Sequence, residues 1–239
     1  MKQPMQNQKS TPPIDSELIN YLSGFVSEKR LELIHHALSY RTRYITVVLE
    51  DIFQSQNASA VLRTCDCFGI QDIHIIENEN KFNHNPKVVL GATKWLNIHK
   101  YNKKDNNNTL KAISDLKSSG YRIVATSPHT YQTTLNEFDL EKGKFALFFG
   151  TELTGLSKDV IDNADDYLLI PTFGFTESLN ISVSAAICVQ VLTSKLHVSK
   201  IDYQLPKNDS DEVLLHWLRQ SIKSWRSIEK RFLSQNKTT

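Results

Sequence analysis

The chain of 239 residues contains no run of roughly eighteen consecutive apolar residues, the length a membrane-spanning helix requires. Its opening stretch, MKQPMQNQKSTPPIDS, has neither an apolar signal core nor an arginine-rich amphipathic pattern, so the expected compartment is the cytoplasm. Cysteine is scarce and odd in number, at Cys65, Cys67 and Cys188, and no second Cys or His pair stands at zinc-ligand spacing. That excludes a disulfide framework and a structural zinc site, and the thiols are read as reduced packing residues. Also missing is a GxGxxG turn followed about twenty residues later by an acidic ribose ligand, which argues against a dinucleotide-dependent oxidoreductase.

What is present is an ordinary globular composition, 40% apolar and 23% charged, with a formal net charge of +2. Such a length buries a full core in one α/β domain with helical extensions. The charges are unevenly spread. From Asn80 to Lys104 there are six lysines (Lys81, Lys87, Lys94, Lys100, Lys103, Lys104) and no acid, and from Leu214 to Thr239 six basic residues face the single Glu229. Two local basic patches on a nearly neutral chain suit a polyanionic partner, and either patch alone reads equally well as a solvated face.

Residues 1–16, rich in Gln, Pro, Ser and Lys, read as a disordered tail. Over residues 17–43, apolar Leu18, Tyr21, Leu22, Phe25, Leu31, Leu33, Ile34 and Leu38 recur near helical spacing around a break at Ser23-Gly24, which predicts a helical hairpin or two short helices. Residues 44–199 then alternate short β-branched runs with helical stretches. Strands are expected at Ile45–Ile52, Asp72–Glu77, Trp95–Tyr101, Tyr121–Thr126, Phe145–Gly150 and Tyr167–Ile170. Helices are expected near Asn57–Phe68, Thr109–Ser119, Lys158–Asn163 and Leu179–His197. The unbroken apolar runs Ile123–Ala125 and Phe145–Phe149 fit strands buried on both faces, hence an α/β fold with a mainly parallel sheet flanked by helices. Residues 200–239 read as a linker, punctuated by Pro206, Asn208 and Ser210, and one basic helix. That helix carries an apolar stripe of Leu215, Leu218, Ile222, Trp225 and Phe232, with Arg219, Lys223, Arg226 and Lys230 away from it.

Three segments carry the chemistry: Asn57–Cys65 with Phe68-Gly69, then Phe149–Leu156 around Gly150-Thr151-Glu152, then Ile170-Pro171 through Ser178-Leu179-Asn180 to Ser184. On the first helix Val61, Cys65 and Phe68 form one side and Arg63 projects roughly opposite, beside the small residues Ala60 and Cys67. From position alone Arg63 reads as a solvated arginine. Asn57 reads as the helix N-cap. Gly150 and Gly155 allow a close backbone approach or simply form a turn. The third segment leads into a helix apolar almost all round, which must be buried, and Ser178 and Asn180 at its start offer side-chain hydrogen bonds.

Taken in this order and spacing, the segments resemble the signature motifs of the SPOUT superfamily of RNA ribose 2′-O-methyltransferases, most closely its tRNA guanosine-2′-O-methyltransferase (TrmH-like) branch. The resemblance runs from about Ile45 to His197. It implies a C-terminal deep trefoil knot, S-adenosylmethionine as methyl donor, no metal, a tRNA guanosine in the D-loop as substrate, and a homodimer. Ribosomal RNA as substrate and a non-catalytic RNA-binding member of the fold are the alternatives. It further implies that Arg63 acts at the target ribose, with Asn57, Glu152, Ser178 and Asn180 completing the catalytic set and Thr126, Gly150, Ile170 and Leu179 framing the cofactor pocket. A guanidinium holds its protons and is a poor base, so Arg63 suits the binding of a neighbouring phosphate and the steadying of an alkoxide; whether it also takes the proton stays open. One departure is Thr172, where many relatives carry Met after the Ile-Pro pair.

Overall fold

The structure, a computed structural model, describes residues 16–82, 85–126, 133–176 and 178–235. The expected tail lies outside these residues except for Ser16, as does Glu177. The chain forms two compact units, one over residues 39–204 and the other from the helices at both ends.

In chain order, α1 (Ser16–Ser23) and α2 (Glu28–Ser39) come first, separated where Ser23-Gly24 breaks the helical spacing. The α/β part follows: β1 (Ile45–Glu50), α3 (Ser55–Cys67), β2 (Asp72–Ile76), α4 (Pro86–Val89), β3 (Asn97–Tyr101), α5 (Asn108–Ser118), β4 (Arg122–Thr126), β5 (Thr133–Thr134), β6 (Phe145–Phe149), α6 (Lys158–Asn163), β7 (Asp166–Leu169) and α7 (Ile181–Val198). Two helices close the chain, α8 (Lys207–Ser221) and α9 (Trp225–Gln235).

The seven strands make one sheet in the order β3-β2-β1-β6-β4-β7-β5, and every pairing is parallel. Side-chain alternation divides the core between the two faces. Val47, Leu49, Leu147 and Phe149 pack with Val61, Leu62 and Cys65 of α3 and with Ala185, Cys188, Val189 and Leu192 of α7. Val48, Ile123, Ala125, Ala146 and Phe148 pack with Ala112, Ile113 and Leu116 of α5 and Val160 of α6. Strands sandwiched this way have no polar face, which is why β6 reads FALFF without a break. The turn after α3 depends on Gly69, whose φ is +78° and whose missing Cβ would stand 2.3 Å from the carbonyl oxygen of Tyr40.

The C-terminal region departs from the expected single helix. Helix α8 begins at Lys207, directly after Pro206, inside the stretch expected to be linker, and the chain breaks again at Ile222, which takes an extended conformation. Ser224 then opens α9 by accepting backbone N–H bonds from Ser227 and Ile228. The apolar stripe runs through both helices, so periodicity alone did not reveal the break. Arg219 is not free on a basic face: it donates to Glu229 at 3.0 and 2.5 Å and lies over the Trp225 ring.

Two other expectations change. Cys65 and Cys188 are buried and free, and burial pushes both thiols up, Cys188 to about 12, so neither forms a thiolate near neutrality; Cys67, however, is exposed rather than packed. Helix α7 is long and apolar enough to cross a membrane by length and composition, but its inward face is part of the core. Within the single chain the burial expected of it is one-sided: Val183 and Val198 are exposed, and Ile187 and Val191 only half-buried.

Candidate active site

The carboxyl ends of three neighbouring strands build the site. Thr126 ends β4, Gly150 follows β6 and Ile170 follows β7, and the sheet places these strands side by side as β6-β4-β7. Together with Glu152, Ser178 and Leu179 they line one cleft of about 530 Å³, within the roughly 300–1,000 Å³ usual for small-molecule pockets. The location matches the rule that ligands of open parallel sheets bind beyond the carboxyl ends of the strands.

The loop after β6 is folded tightly on itself. Thr151 N–H donates to the Gly155 carbonyl and Gly155 N–H to the Thr151 carbonyl, each at 3.0 Å. The two backbones meet so closely that a Cβ on Gly150 would stand 2.2 Å from the Gly155 oxygen, and Gly155 itself has φ +70°. The glycines therefore serve a backbone-to-backbone approach within the loop. Beyond it, the Ser157 hydroxyl caps α6. The buried carboxylate of Glu50, at the end of β1, accepts from Ser157 N–H at 2.9 Å, Ser157 Oγ at 2.7 Å and Thr109 Oγ1 at 2.6 Å.

The three motifs converge on Glu152. Asn57 Nδ2 donates to Glu152 Oε1 at 2.8 Å, and Asn180 Nδ2 donates to the same oxygen at 2.6 Å and to Asn57 Oδ1 at 3.2 Å. Asn180 is the N-cap of α7: its Oδ1 accepts from Ser182 N–H at 2.9 Å, which leaves the amide nitrogen to face Glu152. Asn57 is not the N-cap of α3, contrary to the sequence expectation. Gln54 occupies that position without a side-chain cap, and Asn57, in the first turn, turns its amide to Gln54 Oε1 at 3.1 Å and to Glu152.

Arg63 stands apart from this network. It lies on the exposed side of α3, opposite the buried Val61 and Cys65, does not line the cleft, and makes no hydrogen bond or ion pair among the described residues. Thr126 hydrogen-bonds through Oγ1 to the Phe148 carbonyl at 2.7 Å, which fixes the cleft's wall between β4 and β6. Among the described residues no group of three or more His, Cys, Asp or Glu side chains gathers as a metal site.

Sequence reasoning missed several participants. Gln54 and Glu50 flank the first motif and carry no pattern of their own. Asp51 adopts φ +51°, tolerated by Asp more than by most residues, and its Oδ1 accepts the N–H groups of Asn78, Glu79 and Asn80 at 2.7, 2.9 and 3.2 Å. The turn it holds, Asn78-Glu79-Asn80, follows β2 and lies 27 residues or more away in sequence, so no local pattern joined the two. Leu153, Leu156 and Leu168 also line the cleft.

Comparison with known proteins places this geometry. Residues 44–190 match the SpoU rRNA Methylase family, well over half of the chain. The chain belongs to that family. Among its relatives, a tRNA (guanosine(18)-2′-O)-methyltransferase of Borreliella burgdorferi is 46% identical over 211 residues, covering 88% of this chain and 94% of that one. An enzyme of the same name from Thermus thermophilus is 30% identical over 200 residues, 81% and 98% of the two chains. The crystal structure of the A. aeolicus TrmH/SpoU tRNA modifying enzyme superposes with a TM-score of 0.71 at 26% identity, over 82% of this chain and 98% of that one. The SpoU match spans all three motifs and begins just before β1.

Proposed function

We propose that this protein methylates the ribose 2′-hydroxyl of a guanosine in the D-loop of tRNA, with S-adenosylmethionine as methyl donor, in the cytoplasm. The observation that carries the reading is the 46% identity, across nearly the full length of both chains, to a tRNA (guanosine(18)-2′-O)-methyltransferase, together with the gathering of all three motifs at Glu152.

The cleft's composition fits the donor. Its apolar walls at Leu156, Leu168, Ile170 and Leu179 suit a purine and an alkyl chain, and Thr126, Glu152 and Ser178 supply polar edges. Thr126, Gly150, Ile170 and Leu179 are the residues that would hold it. When bound, it supplies a methyl group already activated on a positively charged sulfur. What remains for the protein is to align the ribose oxygen and to stabilise the charge that develops there. Arg63, exposed and without a hydrogen bond or ion pair among the described residues, can bind a phosphate beside the target nucleotide bidentately and so place the 2′-oxygen and steady its negative charge. Asn57, Glu152 and Asn180 lock the loop after β6 to the starts of α3 and α7, and Ser178 faces the same cleft.

The reading includes a deep trefoil knot, supported by the return of the chain after β7 to bring Asn180 onto the loop that follows β6. It takes residues 44–199 as the catalytic domain, with helical extensions over 17–43 and 200–239. It also includes a homodimer, supported by the apolar side of α7, where Val183 is exposed and Ile187 and Val191 are only partly buried.

The test is methyl transfer from radiolabelled S-adenosylmethionine to unmodified tRNA and, in parallel, to ribosomal RNA, with nuclease digestion and nucleoside identification. Label in 2′-O-methylguanosine from the D-loop of tRNA is the expected result. Label confined to ribosomal RNA, or cofactor binding without transfer to either RNA, overturns it.

A further inference from the structure

The loop from β7 to α7 carries two aromatic rings that are left bare by the described residues. Phe173 is 97% exposed and Phe175 109%, with Gly174 between them, and neither ring contacts another aromatic among the described residues. Burying a phenylalanine side chain is worth about 1.5–3 kcal/mol, so two left wholly in water forgo a stabilisation that a partner could recover. The ends of this loop belong to the cleft: Thr172 on one side and Ser178 and Leu179 on the other line it. The rings therefore stand at the mouth of the proposed methyl-transfer site.

The same end of the sheet carries exposed lysines, set among Asp51, Glu77, Glu79 and Asp105. Lys81 and Lys87 follow β2, and Lys103 and Lys104 follow β3; all four are exposed, and their side chains make no ion pair among the described residues. Strands β2 and β7 are four places apart in the sheet, roughly 20 Å at the usual strand spacing. Unpaired lysines at one side and bare aromatic rings at the other form the combination that binds single-stranded RNA, phosphates on the cations and splayed bases on the rings. A phosphate chain meets those lysines with opposite charge.

We propose that Phe173 and Phe175 are base-stacking residues that hold unpaired nucleobases of the substrate RNA at the mouth of the cleft. The proposal rests on the reading of the cleft as an RNA methyltransferase site. It makes these rings positioning residues for the target loop, distinct from the groups that hold the methyl donor.

The experiment compares the full-length protein with F173L/F175L and F173W/F175W variants. Affinity for an unmodified tRNA transcript is measured by fluorescence anisotropy at one fixed salt concentration, alongside calorimetric affinity for S-adenosylmethionine and sedimentation. Stacking on an aromatic side chain contributes ~1–3 kcal/mol per base, so the leucine variant is expected to bind tRNA at least about tenfold more weakly. The tryptophan variant is expected to bind as the wild type does, and cofactor affinity and oligomeric state are expected to be the same in all three. Equal tRNA affinity in the leucine and tryptophan variants overturns the proposal. So does a leucine variant that loses self-association or cofactor binding, which would assign the rings to a second copy or to the cofactor pocket. Methyl transfer is scored separately: a wild type that binds tRNA without methylating it sinks the catalytic reading and leaves the stacking result standing.

Discussion

Asn180 divides its side-chain amide between two tasks: its oxygen accepts from Ser182 N–H at 2.9 Å to cap α7, and its nitrogen donates to Glu152 Oε1 at 2.6 Å. The substitution N180D separates them. Aspartate caps a helix as well as asparagine does, so α7 keeps its start, but an oxygen replaces the nitrogen that faces Glu152 and turns a hydrogen bond into a like-charge contact. Because Glu152 is exposed, solvent screens part of the repulsion, and the cost to stability is expected to be about 1 kcal/mol or less. The effect on the site is expected to be larger, since the loop after β6 loses its tie to α7. S-adenosylmethionine affinity should fall at least about tenfold in N180D while the melting temperature moves little. Normal cofactor affinity in calorimetry would show that the bridge to Glu152 does not shape the cleft.

Arg63 is exposed and makes no hydrogen bond or ion pair among the described residues. R63A is therefore expected to fold and bind cofactor as the wild type does, and to lose methyl transfer by roughly 10²-fold or more, the usual cost of removing a preorganised charge from a reaction centre. R63K keeps the charge but not the planar fork that grips a phosphate at two points, and is expected to recover only a small part of the loss. Single-turnover rates at saturating cofactor decide the matter. Turnover of R63A within a few-fold of wild type would remove this residue from the chemistry.

The two faces of the sheet were legible in the sequence because a buried parallel strand leaves an unmistakable trace. Runs such as FALFF and IVA admit no solvent face, and the strands and helices expected in the α/β part lie within a few residues of their places, whereas the short α4 and β5 were not expected. Helix breaks left a weaker trace: the stripe through Leu218, Ile222, Trp225 and Phe232 stays apolar across the gap between α8 and α9, so nothing in its period marks the turn. Asn57 was misread for a related reason. Its residue type suits an N-cap, but its role comes from Glu152, 95 residues away, and no local pattern reports a partner at that distance. The cleft residues were recognisable as a set only through their motifs. Which of them touch, and that Arg63 stands outside the cleft, depends on how the strands are ordered.

Helix α7 presents Val183, Ile187 and Val191 at four-residue spacing on the side that the core covers only in part, Val183 exposed and Ile187 and Val191 partly buried against the core's edge. If this side is the dimer interface, a charge in its middle removes the driving force for association without disturbing Ala185, Cys188, Val189 and Leu192, which face the core. I187E is expected to sediment as a monomer at micromolar concentrations where the wild type is a dimer, with the far-ultraviolet circular dichroism spectrum unchanged. A dimer retained by I187E would mean that another surface mediates association.

A buried imidazole on β2, stacked against an exposed one on β3, links stability to pH. His74 and His99 stack with ring centroids 4.6 Å apart, and His74 Nδ1 lies 3.3 Å from the Tyr101 hydroxyl. Burial, then the neighbouring His99, push the pKa of His74 down from 6.5 to about 4, against the opposite pull of Asp72 and Asp115. Below pH 6.5 the unfolded chain takes up a proton that the folded protein refuses. This part of the stability is therefore fully present above that pH and is lost progressively as the pH falls toward 4, up to ~3 kcal/mol in all. Asp72 acts in a lower window. Its own burial favours the protonated form, but bonds from His99 and Asn97 and the charge of Arg43 outweigh this and hold its carboxyl below the usual range, so its contribution is lost only under more acid conditions. The measurement is the urea midpoint as a function of pH for the wild type and for H74F, which keeps an aromatic ring in the stack and cannot titrate. The slope between about pH 6.5 and pH 4 is expected to be shallower in H74F, whatever its absolute stability. Parallel curves through that interval would mean that the folded protein accepts the proton at His74 as readily as the unfolded chain does.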